Sequence, residues 1–116
     1  MKYLNSLILE AEVISALEFD RLKWSDKTKI SRFSKAEIVT IQRALIGWKF
    51  SHEKDEEEDK LKLNHPIKND FVSIEKMSID GNQFWTVYFS TGFKHEWTKH
   101  DNFNLMLRYI KRITTD

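Results

Sequence analysis

The chain has no cysteine, one proline (Pro66) and three glycines (Gly47, Gly81, Gly92) among its 116 residues. Without cysteine there is no disulfide framework, no thiol nucleophile and no cysteine-ligated zinc, an absence that suits a reducing compartment. Three scattered glycines cannot build a phosphate-cradling loop. So few turn formers leave most of the chain to helices and strands. No window approaches the 18 or so apolar residues of a spanning helix. Glu10 and Glu12 break the N-terminal apolar run too early for a secretory signal. The expectation is a cytoplasmic protein with no membrane partner.

What is present is a globular composition, 41% hydrophobic, 13% aromatic and 32% charged. At this length one domain over 1–116 is expected. The net charge of +1 gives no global attraction to nucleic acid, but the charge is segregated. Arg21 to Lys49 carries eight Lys and Arg against Asp26 and Glu37, and Glu53 to Lys60 reads EKDEEEDK. One reading is two patches of opposite sign; the plainer one is a solvated face beside a solvated loop.

Apolar periodicity predicts a first helix from about Asn5 to Lys23, apolar on two sides. Such a helix is sandwiched, or offers its second side to another chain, a homodimer included. Ser34-Lys35-Ala36-Glu37 is a capping box that opens a second helix, expected to end near Phe50. Residues 1–50 thus read as a helical pair. Residues 51–70 read as an acidic loop and a connector, with Pro66 opposing a central strand. Residues 71–116 read as a βββα unit. Asp80-Gly81 is a type I′ hairpin signal that sets Ile74 opposite Val87 and Val72 opposite Phe89. Ser90-Thr91-Gly92 fits a three-residue loop with Gly92 left-handed, which sets Val87 against His95 and Trp85 against Trp97. Asp101 is read as the cap of the last helix. The expected fold is α+β of order ααβββα, a three-stranded antiparallel sheet with the C-terminal helix on one face and the N-terminal helical pair beside it.

In that register the outer sheet face carries Met77, Phe84, Tyr88, Lys94 and Glu96. These, with Asp55, Glu56, Glu57, Glu58 and Asp59 of the acidic run, are the candidate partner-binding residues, since aromatic anchors in a charged rim make binding hot spots. Lys23, Lys27, Lys29, Arg32 and Lys35 are the candidates for gripping phosphates. No catalytic constellation is apparent. His95 and His100 in HEWTKH are one residue too far apart for H-E-x-x-H, and lie on a strand instead of a helix. No G-x-S-x-G motif is present. No enzyme activity, metal or cofactor is expected. Size, composition and missing motifs are those of compact intracellular inhibitors, such as immunity proteins and phage-encoded inhibitors. The leading expectation is a non-enzymatic protein that binds another protein. The alternative is nucleic-acid binding through the 21–35 segment and the sheet face.

Overall fold

Asp80 and Gly81 have φ of 53° and 82°, the two positive values that a type I′ turn demands. They join β5 (Phe71–Ile79) to β6 (Asn82–Ser90) in the expected register, with Ile74 opposite Val87 and Val72 opposite Phe89. The rest of the molecule is built on this hairpin. The computed structural model describes residues 11–115.

The other elements are β1 (Glu12–Ile14), α1 (Ala16–Lys23), β2 (Thr28–Ile30), α2 (Lys35–Ala44), β3 (Lys49–Lys54), β4 (Asp59–Asn64), β7 (His95–His100) and α3 (Phe103–Ile113). All seven strands join one antiparallel sheet in the order β1-β7-β6-β5-β4-β3. β4 pairs with Phe71 to Glu75 of β5, and β2 pairs with Met77 to Ile79 beyond it. The two therefore share one edge of β5 end to end. The fold is α+β, but the expected three-stranded sheet and ααβββα order are corrected to seven strands and three helices among the described residues.

Three local causes account for the difference. Ser15-Ala16-Leu17-Glu18 is a second capping box: Ser15 Oγ accepts the Glu18 amide, and Glu18 takes the Ser15 amide in return. A helix starts there, so the β-branched pair Val13-Ile14 is left as a strand against β7. The part of the expected first helix before residue 11 lies outside the described residues. The two-sided apolar pattern that suggested self-association is, over residues 12–23, the sum of a strand and a short helix. The second helix opens at its Ser34 capping box but stops at Ala44. Gly47, at φ 89°, turns the chain into β3. The stretch expected as loop and connector is instead the β3–β4 hairpin, followed by a tight loop around Pro66.

The third cause is the loop after β6. Gly92 is not left-handed. Thr91 closes the turn instead: its amide donates to the Lys94 carbonyl (2.8 Å), and its Oγ1 accepts the Phe93 and Lys94 amides (3.1 Å each). Trp85 then faces His100, and Tyr88 faces Trp97. The pairing shifts by an odd number of residues, which turns every β7 side chain to the other face. His95 and Trp97 leave the expected core for the outer face, while Glu96, Thr98 and His100 take their places. The last helix is capped by Asn102, whose side chain accepts the Leu105 amide, rather than by Asp101.

α2 and α3 lie on one face of the sheet. Ile41, Leu45, Met106, Leu107 and Ile110 close over Leu61, Leu63, Val72, Ile74, Val87 and Phe89 in a single core. On the opposite face α1 runs from Trp97, on which Phe19 stacks (5.8 Å between centroids), to Glu75, which Lys23 binds at 2.8 Å.

Candidate interaction surfaces

The basic and acidic segments meet each other. Lys23 bonds Glu58 as well as Glu75. Arg32 donates to the carbonyls of Asp55 (2.7 Å) and Glu58 (3.2 Å). Burial opposes the charge of Lys23, but its two carboxylate partners outweigh that and hold its pKa above the ordinary lysine value. Asp55 folds its carboxylate back onto the amides of Glu57 and Glu58. Asp59 is buried, accepting the Phe33 amide at 3.0 Å and bonding His52 Nε2. Of these candidates Lys27, Lys29, Arg32, Lys35, Asp55, Glu56 and Glu57 stand exposed, Arg32 and Asp55 while engaged in the bonds just given. Lys23 and Arg32 thus clasp the β3–β4 turn to the α1–α2 connection through Glu58 and Asp55.

The sheet-face candidates separate. Met77 and Phe84 are 3% exposed, so they belong to the interior. Lys99 Nζ sits 5.1 Å from the Phe84 ring centroid. Glu96 lies on the core face and accepts the Tyr109 hydroxyl at 3.0 Å. Burial drives the Tyr109 pKa up to about 12. Tyr88 is half-buried between Phe71 (5.6 Å) and Trp97 (4.2 Å). His100 is buried on Thr98 and Tyr109, where burial pushes its pKa down to about 4. His95 is exposed beside Tyr88. Among the described residues no three His, Asp or Glu side chains converge as metal ligands. No described helix is long and apolar enough to cross a membrane.

A surface that sequence reasoning missed lies at one end of the sheet. The registers bring the start of β3, the β4–β5 loop and the β6–β7 loop to the same end. Each presents an apolar side chain to water: Ile46 and Ile67 are 84% and 89% exposed, and Phe93 is fully exposed. All three sit on defined turns. Gly47 and the Trp48 amide, which donates to the Leu45 carbonyl (3.1 Å), shape the first. His65 Nδ1 accepts the Ile67 and Lys68 amides, at 3.0 and 2.9 Å, in the second. Thr91 shapes the third. Trp48 meets His65 edge-on at 5.1 Å and ties the first two together.

The same end is basic. Lys68 and Lys94 flank the tips, and Arg43, Lys111 and Arg112 lie in the last turns of α2 and α3, where they complement the helix dipoles. Lys68, Lys94 and Arg112 line a cleft of about 310 Å³ whose other walls include Asp70, Glu96 and Tyr109. The acidic β3–β4 turn lies at the opposite end. Of the sequence candidates Lys94 and Glu96 line this surface. Isolated apolar residues in loops carry no periodic signal, so only the pairing of distant strands reveals that these three share one end of the sheet. Comparison with protein-family models, with curated proteins and with solved structures gives no match to this chain.

Proposed function

We propose that this protein acts without catalysis, by binding another protein through the loop end of its sheet. The observation that carries the reading is the trio Ile46, Ile67 and Phe93, held on three fixed turns within a basic surround. Large apolar side chains left in water by folding mark interaction sites when they cluster. Turns that fix them in advance reduce the ordering cost of association. The surrounding cations call for a partner with an acidic surface, which they steer and orient, and with apolar pockets for the tips.

The test is affinity capture from the host's own extract, with wild type beside two variants as bait. One carries Ile46→Ser, Ile67→Ser and Phe93→Ser; the other carries Lys68→Glu and Lys94→Glu. The reading expects a discrete acidic protein on the wild type that both variants lose. Truncating a hot-spot side chain costs more than about 1 kcal/mol, or roughly fivefold in affinity, and the losses accumulate. Identical capture on all three baits rejects the reading.

A further inference from the structure

Separately from the loop end, the shift of β7 creates a second surface. On the face that carries α1, two adjacent rows of the sheet lie beside the helix, which reaches them at Trp97 through Phe19. One row is Lys49, Asn64, Phe71, Ser90 and His95; the other is Ser51, Lys62, Ser73, Tyr88 and Trp97. None of these residues is buried. Phe71, Tyr88 and Trp97 form a continuous line across β5, β6 and β7, with His95 6.2 Å from Tyr88. Lys62 Nζ stands 4.6 Å from the Phe71 centroid. Neither row holds a carboxylate. Glu75 is occupied by Lys23 one row further on, and Glu96 points into the other face.

We infer that this half-face binds single-stranded nucleic acid. Sheet aromatics that stay partly open accept unstacked bases on their faces, and stacking tolerates any base. Successive strands set the rings at about the 4.8 Å strand spacing, so splayed bases meet neighbouring rings. Lys49 and Lys62, on the outer strands β3 and β4, take backbone phosphates, and the serines and Asn64 between them hydrogen-bond sugar or base edges. A protein partner fits less well, because lysine and serine are depleted from protein interfaces. A duplex is excluded by shape, since its bases are already stacked and cannot meet the rings.

The experiment is fluorescence-anisotropy titration of the full chain into labelled oligothymidylate and oligouridylate of about twelve nucleotides, within the range of known single-strand footprints. A duplex of the same length runs beside them. The proposal expects binding to one or both single strands and at least fivefold weaker binding to the duplex. Two phosphate contacts on a single strand predict about sevenfold loss of affinity between about 50 and 200 mM salt. Phe71→Leu, which keeps an apolar side chain but removes the ring, should weaken binding at least fivefold. Lys49→Ser with Lys62→Ser should weaken it and flatten the salt dependence, with circular dichroism and melting temperature verifying that both variants are folded. Preference for oligouridylate identifies RNA as the source, and preference for oligothymidylate identifies DNA. No binding by wild type, equal binding to the duplex, or unchanged binding by the folded lysine variant overturns the proposal.

Discussion

Glu75 and Lys76 are neighbours in β5 whose side chains point to opposite faces of the sheet, and each anchors a different N-terminal helix. Glu75 binds Lys23 at the end of α1, and Lys76 binds Glu37 in the first turn of α2, both at 2.8 Å. Lys76 also donates to the Arg32 carbonyl at 3.1 Å. One dipeptide thus clamps the chain on both faces of the strand that β2 pairs with.

Buried pairs of this kind lose most when one partner is removed, because the other is left uncompensated. Lys76→Ala should therefore cost about 3 kcal/mol in a urea titration. Replacing the pair together, Lys76→Met with Glu37→Gln, which keeps an acceptor for the Ser34 amide, should cost less than the single change, since no unpaired charge is left buried. If the double replacement is as destabilising as the single, the ion pair is not what holds α2 there.

Asp59 offers a second measurement. Its two oxygens receive the Phe33 amide and His52 Nε2 inside the β3–β4 hairpin. Asp59→Ala orphans a buried amide and should cost about 3 kcal/mol, near the upper range for losing charged hydrogen bonds. Asp59→Asn keeps an acceptor for Phe33 and should cost less. Equal losses in chemical denaturation would show that the amide contact is unimportant.

His100 makes stability depend on pH. Burial, helped by Lys99 and partly offset by Asp101, lowers its pKa from 6.5 to about 4. Between these values the unfolded chain holds a proton that the folded chain does not. Stability therefore rises with pH across this window and falls on acidification from 6.5 towards 4. The gap corresponds to about 3 kcal/mol at 1.36 kcal/mol per pH unit. Melting temperatures of wild type and His100→Gln across the window should converge towards the acid end, the variant having lost this contribution. Parallel curves would rule it out.

Strong local signals in the sequence were reliable. Ser34 with Glu37, Asp80-Gly81 and the apolar stripe of α3 each specify a conformation within a few residues, and Met106, Leu107 and Ile110 are buried as that stripe requires. The misses have physical causes. Asp59 to Asn64 alternates apolar and polar from Leu61 onward, a strand pattern masked by the charges before it. Ser15 with Glu18 repeats the capping chemistry of Ser34, but the apolar residues on either side merge into one apparent helix. The β6–β7 register turned on whether Gly92 or the Thr91 hydroxyl closes the loop. That single local choice decides which face receives Trp97 and which receives Glu96, and with them the character of the candidate surface. β2 could not be read at all, because three residues gain their strand identity only from the vacant end of β5.

The pairing of β1 with β7 and of β2 with β5 also bears on how the molecule is made. Residues 49–100 form an up-and-down meander whose contacts are local, which favours early formation. Residues 12–30 depend on partners far along the chain and cannot close until those strands exist. During synthesis residues 12–30 emerge before β5 and β7 and can dock only after them. Ile14, which folding buries, must wait in the open while the strand that receives it is completed, an interval in which the nascent chain is exposed to misassembly.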